Sequence, residues 1–95
     1  MSNNIERKDL YRRLGNIKRE EQWLRAAERL DLRICHGTKH PSTIRDPKMP
    51  DDTGRASLIT VVPHELNKWL NEKIFKEFLK FGAKEDDLWK ALDML

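Results

Sequence analysis

Residues 57–63 read SLITVVP, and this stretch decides the fold. Its residues are mostly β-branched, which is typical of a strand, and Pro63 ends the strand because proline has no amide hydrogen to donate. Upstream, residues 32–36 alternate apolar and polar side chains, and residues 42–46 contain adjacent β-formers. The pattern predicts three antiparallel strands near 32–36, 42–46 and 57–62.

The segment that follows Pro63 has a helical period. Its apolar positions recur every four residues at Leu66, Leu70, Ile74 and Phe78. The spacing predicts a helix over 64–81 that either runs unbroken or restarts at Asn71, with Gly82 at its end. A last helix is predicted over 85–94, because acidic side chains in its first turn favour a helix start.

Two helices are predicted before the sheet. Asn3 and Glu6 have the spacing of a capping box, and Gly15 is a suitable end for the helix that follows. Asn16 is expected to cap the second helix. The order α-α-β-β-β-α-α predicts an α+β fold, with helices packed on one face of a three-stranded antiparallel sheet. The residues expected to be buried are Trp23, Trp69, Ile74 and Phe78.

Length and composition limit the protein to a small domain. The chain has 95 residues, of which 38% are hydrophobic and 37% are charged. We predict one domain over 1–95, in which residues 1–15 form an N-terminal helical extension and residues 16–95 form the core. Cys35 is the only cysteine, which excludes an internal disulfide and a multi-cysteine zinc site. No apolar run is long enough to span a bilayer, so we expect a cytoplasmic protein that needs no membrane. No glycine-rich phosphate loop or metal-ligand spacing is present, so we expect no cofactor.

Basic side chains are concentrated in the first part of the chain. Lys and Arg number 19 and Asp and Glu number 16, for a net charge of +3. Residues 1–55 carry 13 basic and nine acidic side chains, whereas residues 56–95 carry six and seven. We therefore expect a polyanion to meet the N-terminal half and the central loops. Ordinary solvated helix faces are the alternative explanation of the same charges.

Several short pieces of the chain occur in an order that is similar to a known family. A helix leads into a strand, a Gly-Thr-Lys-His turn follows, and a later strand ends in proline and histidine. A helix that ends at glycine and a helix with an acidic start complete the pattern. These pieces lie at residues 27–34, 37–40, 57–64, 74–83 and 85–92. From about residue 18 to residue 92, the chain resembles the HicA toxins.

The resemblance implies a fold like that of double-stranded-RNA-binding domains and a metal-independent endoribonuclease that cleaves mRNA. It also implies a HicB-like antitoxin as protein partner. In this family the essential histidine lies in a Gly-Ser-His turn. Here Thr38 and Lys39 follow Gly37, and His40 lies one position later than in the family. Asp31 stands where the family tends to have glycine, and aspartate tolerates left-handed backbone better than most residues.

The chemistry of RNA cleavage selects the candidate site residues. A base must take the proton of the 2′-hydroxyl, and an acid must protonate the leaving 5′-oxygen. Histidine suits both roles because its pKa lies near neutrality. We predict His40 and His64 as catalytic residues; the alternatives are a loop histidine without a role and a helix-entry residue. The candidate RNA-binding residues are Gly37, Thr38, Lys39, Arg33 and Arg45, and the two arginines are expected to share a face of the sheet.

Two other functions remain open at the level of the sequence. A non-catalytic RNA-binding module of the same fold would read RNA shape and would need no catalytic histidine. A protein-interaction domain that has lost RNA contact is the third interpretation. The aromatic residues of the last two helices interleave with leucines at helical spacing, which favours core packing over base stacking.

Overall fold

The protein is described by a computed structural model that covers residues 7–37, 39–52 and 54–94. The predicted α+β class and the element order α-α-β-β-β-α-α are confirmed. The predicted capping box at Asn3 and Glu6 lies outside the described residues. The elements are α1 (Arg7–Leu14), α2 (Glu20–Arg29), β1 (Arg33–Cys35), β2 (Ser42–Arg45), β3 (Leu58–Val62), α3 (Lys68–Phe81) and α4 (Glu85–Ala91).

The three strands form one antiparallel sheet in the order β1-β2-β3. Ile34 lies opposite Ile44, and Ile44 lies opposite Thr60, so these three side chains share a face. The Thr60 hydroxyl donates to Glu77 of α3 at 2.6 Å, which identifies this face as the one that the helices cover. Val61 points to the other face and is 39% exposed. The sheet therefore has one covered face and one more open face, as predicted.

Aromatic side chains join the helices into one core. The ring of Trp23 in α2 stacks on Phe78 in α3, with ring centroids 5.6 Å apart. Tyr11 of α1 meets Phe75 and Trp89 edge-on, each at 5.6 Å. Because Tyr11 bridges α3 and α4, the predicted N-terminal extension packs into the same hydrophobic core as the rest of the chain.

A buried amide ties α2 and α3 to the segment between α1 and α2. Asn71 is fully buried, its side-chain oxygen accepts from the Trp23 indole at 2.9 Å, and its side-chain nitrogen donates to the Ile17 carbonyl at 2.9 Å. Both hydrogen bonds stabilise the folded state, because a buried polar group without a partner lowers the free energy of unfolding. Asn71 thus lies inside α3 and is not the start of a second helix.

The helix ends differ from the predicted ends in three places. Asn67 caps α3 by accepting from the Leu70 amide at 2.8 Å, so this helix begins at Lys68. Helix α2 begins at Glu20 and not after Asn16, because residues 16–19 turn inward to bury Ile17. Helix α4 ends at Ala91, short of the predicted residue 94.

Two backbone positions adopt the left-handed geometry that the sequence suggested. Gly82 caps the C-terminus of α3 with φ 121°, a conformation that residues other than glycine rarely adopt. Asp31 has φ 60° in the turn that leads from α2 into β1. Aspartate at this position therefore performs the backbone role that glycine would otherwise have.

One of the four burial predictions is wrong. Trp23, Ile74 and Phe78 are buried, but Trp69 is 68% exposed. The core face of α3 is set by Asn71, Ile74, Phe75 and Phe78. Position 69 precedes Asn71, the first of these residues, by two positions. Residues two positions apart on a helix point to different sides, so Trp69 lies off the core face.

Candidate functional site

The connection between β1 and β2 is a tight turn that requires glycine. The Gly37 amide donates to the Ser42 hydroxyl at 3.2 Å. A Cβ atom at position 37 would overlap the His40 carbonyl oxygen and crowd the Pro41 carbonyl. Gly37 is thus needed because the chain folds back onto itself, which brings Lys39 and His40 to the tip of the turn.

The predicted catalytic and basic residues of this turn are open to solvent. Lys39 and His40 are both exposed, and His36 on the near side of the turn is exposed as well. Thr38, a predicted RNA contact, lies outside the described residues. At Lys39 and His40 the turn therefore presents an ammonium group and an imidazole next to each other in sequence, both accessible to a large ligand such as a nucleic acid.

His64 anchors the turn from the opposite side. Its Nδ1 lies 2.9 Å from Glu20 Oε1, and its Nε2 lies 3.1 Å from the His40 carbonyl oxygen. The other oxygen of Glu20 accepts from the Ser42 hydroxyl at 3.0 Å. One carboxylate at the start of α2 therefore connects the first residue of β2 to the segment after β3. His40 and His64 are brought together, but through the backbone of His40.

The partners of His64 determine its protonation. A carboxylate oxygen and a carbonyl oxygen only accept hydrogen bonds, so both ring nitrogens donate when both bonds are made. The hydrogen bond and the negative charge of Glu20 raise the pKa of His64 above its ordinary value of 6.5, and the His40 carbonyl acts in the same direction. In this arrangement neither ring nitrogen of His64 is open to a substrate.

Arg33 and Arg45 share a face of the sheet, as predicted, and lie directly opposite each other. Their guanidinium groups bind the loop between β2 and β3. Arg33 donates to the Asp52 carbonyl. Arg45 donates to the Gly54 carbonyl at 2.6 Å and to the Ser57 hydroxyl at 3.0 Å. Arg45 is only 9% exposed, and the two guanidinium groups that were predicted to contact phosphates both donate to loop carbonyls.

Asp52 completes this loop cluster. Its carboxylate accepts from the Ser57 amide at 2.9 Å. Hydrogen bonds from Ser57, together with the Arg45 charge, hold the pKa of Asp52 below its ordinary value of 3.8. The Nε atoms of Arg33 and Arg45 are buried without a hydrogen-bond partner. The hydrogen bonds of the cluster tie Asp52 and Gly54 of this loop to the two arginines and to Ser57.

Two side chains of the site were missed by reasoning from the sequence. Glu20 and Ser42 are 22 positions apart and follow no spacing rule, yet they form one hydrogen-bonded group with His64. The only available signal was that Glu20 is an acidic residue close to the start of a predicted helix. Such residues usually interact with the helix dipole, and only the tertiary fold turns this one toward a histidine.

Two features are absent from the described residues 7–37, 39–52 and 54–94. Within these ranges, no group of three or more His, Cys, Asp or Glu residues is arranged to hold a metal ion. Within the same ranges, no helix has the length and apolar character needed to cross a membrane.

Comparisons of the chain with protein-family models, with curated proteins and with solved structures find no match. The similarity to HicA toxins accordingly remains a prediction from the short pieces of sequence.

Proposed function

We propose that this protein is a HicA-like toxin that cleaves mRNA in the cytoplasm without a metal ion, with His40 as general base. The anchored turn is the observation that supports this proposal most. The His40 side chain is exposed, while its carbonyl oxygen is held 3.1 Å from His64 Nε2. A catalytic group must be open to substrate and its backbone must be held in place; the exposed side chain and the bonded carbonyl of His40 support both conditions.

The proposed reaction needs no redox partner. Neutral His40 takes the proton from a ribose 2′-hydroxyl while the 2′-oxygen bonds to the adjacent phosphorus. The bond from phosphorus to the 5′-oxygen of the next nucleotide breaks, and this oxygen takes a proton from solvent. The products are a 2′,3′-cyclic phosphate and a 5′-hydroxyl, and His40 later releases its proton to solvent.

Lys39 and His64 support this step in different ways. Lys39 is exposed beside His40, so its ammonium group is available to stabilise the charge that builds up on the phosphorane. His64 is a positioning residue in this proposal, because Glu20 and the His40 carbonyl occupy both of its ring nitrogens. The proton exchange with RNA that the sequence predicts for His64 would require that one of these bonds opens.

A second function is favoured by the same geometry. If His64 keeps both of its bonds, the turn offers the His40 imidazole for proton transfer but no paired histidine to protonate the leaving oxygen. An RNA-binding module that does not cleave would need only the exposed cations and the shape of the fold.

The deciding experiment is RNA cleavage in EDTA by purified wild type, His40→Ala and His36→Ala. His36 is the matched control because it is an exposed histidine on the other side of the same turn. We expect His40→Ala to lower the cleavage rate about 10²–10⁴-fold and His36→Ala to leave it nearly unchanged. Both variants should keep the parent melting temperature, since exposed substitutions usually cost less than about 0.5 kcal/mol.

Two results would contradict the catalytic proposal. If wild type cleaves and His40→Ala cleaves equally fast, His40 is not the general base. If wild type binds RNA with the salt dependence of phosphate contacts and never cleaves it, the binding module replaces the toxin.

The partner proposed for this toxin is a HicB-like antitoxin that covers the turn. Lys39→Glu should weaken both RNA binding and antitoxin binding, because it reverses the charge at the tip. Lys48→Glu is the matched control, since Lys48 is exposed in the 46–57 loop. Equal affinities for wild type and Lys39→Glu at low salt would show that the binding surface lies elsewhere.

A further inference from the structure

Helix α3 exposes a large aromatic side chain on its outer surface. Trp69 is 68% exposed and is the most exposed large hydrophobic side chain among the described residues. The other two tryptophans, Trp23 and Trp89, are both 0% exposed. An exposed tryptophan adds little to folding, whereas it has a broad ring face that a planar ligand can cover.

A row of lysines continues from Trp69 along the same helix. Lys73, Lys76 and Lys80 follow at four, seven and eleven positions, which is the spacing of one helix face. The row extends about 16 Å along the helix axis. Together with the Leu79 side chain, it lines a shallow groove of about 740 Å³.

The charge of this groove favours an anionic ligand. Three lysines line it, against the two carboxylates of Glu72 and Glu77. Glu77 is committed to the sheet, because it accepts the hydroxyl of Thr60 at 2.6 Å. Glu72 is then the carboxylate of the groove that most directly opposes an anion.

Trp69 is connected to the candidate catalytic turn by a short length of chain. It is five residues from His64, so the chain limits their separation to about 18 Å. His64 in turn contacts the His40 carbonyl. The row that starts at Trp69 therefore begins within about 18 Å of the residue that anchors the turn.

We propose that this face of α3 is a binding surface for single-stranded RNA, on which a base stacks on Trp69 and phosphates contact Lys73, Lys76 and Lys80. The inference rests on the proposed function, because it supplies a second contact for the strand that reaches His40. Stacking on an exposed ring requires an unpaired base, which selects a single strand over a duplex. An acidic peptide would use the lysines but would leave the exposed indole without a flat partner.

The test uses wild-type protein and a 2′-O-methyl RNA of about twelve nucleotides, which cannot be cleaved through its 2′-oxygen. Trp69→Ala should weaken binding about 5–150-fold, as expected for the loss of one stacked base. Trp69→Phe should restore much of the affinity. Because Trp69 is the exposed tryptophan, RNA should quench its fluorescence, whereas an abasic strand with the same phosphates should not.

Charge variants test the lysine row separately. The double variant Lys73→Ala/Lys76→Ala should reduce the slope of log affinity against log salt by about 1.4, at about 0.7 for each phosphate contact on a single strand. Glu72→Gln should tighten binding. Lys90→Ala on α4 is the matched control, since it removes an exposed lysine elsewhere and should leave the quench of Trp69 intact.

The outcomes separate this surface from the proposed cleavage. If unmodified RNA is cleaved but Trp69→Ala binds the 2′-O-methyl strand as tightly as wild type, the α3 surface is refuted and the cleavage stands. If binding depends on Trp69 and no RNA is cleaved, the surface stands and the ribonuclease is refuted. If polyglutamate quenches the fluorescence of Trp69 and RNA does not, the inference is overturned in favour of an acidic protein partner. Trp69→Ala should melt within about 4 °C of wild type in every case.

Discussion

The buried amide of Asn71 gives the most quantitative prediction. The change is Asn71→Ala, which removes the acceptor of the Trp23 indole and the donor to the Ile17 carbonyl, both at 2.9 Å. Trp23 and Asn71 are 0% exposed and Ile17 is 1% exposed, so water cannot replace either bond without opening the core. Alanine therefore leaves one buried donor and one buried acceptor without partners.

The size of the effect follows from these two groups. A buried polar group that loses its partner costs about 1–3 kcal/mol, so Asn71→Ala should lower the free energy of unfolding by about 2–6 kcal/mol. The total free energy of unfolding of a domain of this size is about 5–15 kcal/mol. A loss of 1 kcal/mol shifts the melting temperature by about 4–8 °C, so the variant should melt at least about 8 °C below wild type.

Thermal and urea unfolding followed by circular dichroism measure this difference. Asn67→Ala is the matched control, because it removes an exposed asparagine that caps the same helix and should cost about 1 kcal/mol. Asn71→Asp gives a second check. The aspartate carboxylate can still accept from the Trp23 indole, but it has no hydrogen to donate to the Ile17 carbonyl. Burial raises the pKa of this carboxyl group. Protonation then supplies the missing donor, so the deficit of this variant should shrink as the pH falls.

A loss below about 1 kcal/mol for Asn71→Ala would refute the reasoning, because it would mean that neither stranded group is desolvated. The same conclusion would follow if Asn71→Asp kept a constant deficit from neutral to acidic pH.

Three further predictions concern the core and the turn. Leu14→Ala should lower the free energy of unfolding by about 2–5 kcal/mol in urea titrations, because Leu14 is 0% exposed. An effect under about 1 kcal/mol would show that α1 does not pack into the core. Gly37→Ala should cost about 1–3 kcal/mol in the same assay, since its Cβ overlaps the His40 carbonyl; unchanged stability would contradict the turn geometry. The raised pKa of His64 means that its stabilising contribution is complete below pH 6.5 and is lost as the pH rises through the folded-state pKa. Glu20→Gln should make the free energy of unfolding depend less on pH between about pH 5 and 8. An unchanged pH dependence would show that Glu20 does not stabilise the protonated form of His64.

Local pattern was sufficient for most of the fold. The β-branched run 57–62 became β3, and Gly82 ended α3 where a helix needs a left-handed residue. Asp31 likewise took the left-handed conformation. These features follow from the sequence because each depends on backbone preferences of a few neighbouring residues, which act before any tertiary contact forms.

Sequence reasoning left a choice open, or was wrong, where one residue type serves two purposes. Asparagine is a good cap and also a good buried hydrogen-bonding group, and the alternative restart at Asn71 used the first property whereas the core uses the second. Tryptophan on a helix usually packs inward, but Trp69 lies two positions away from the core stripe and stays exposed. Neither choice can be made until the partner elements are in place.

The sequence by itself determined the element order, the sheet and the presence of a histidine turn after β1, because periodicity and turn chemistry are local. Only the tertiary structure decided what the candidate residues contact. It joined Glu20 of α2, Ser42 of β2 and His64 of the segment after β3, and it turned Arg33 and Arg45 onto the carbonyls of the 46–57 loop. Hydrogen-bond partners distant in sequence leave no periodic signal, so their pairing is fixed only when the helices pack against the sheet.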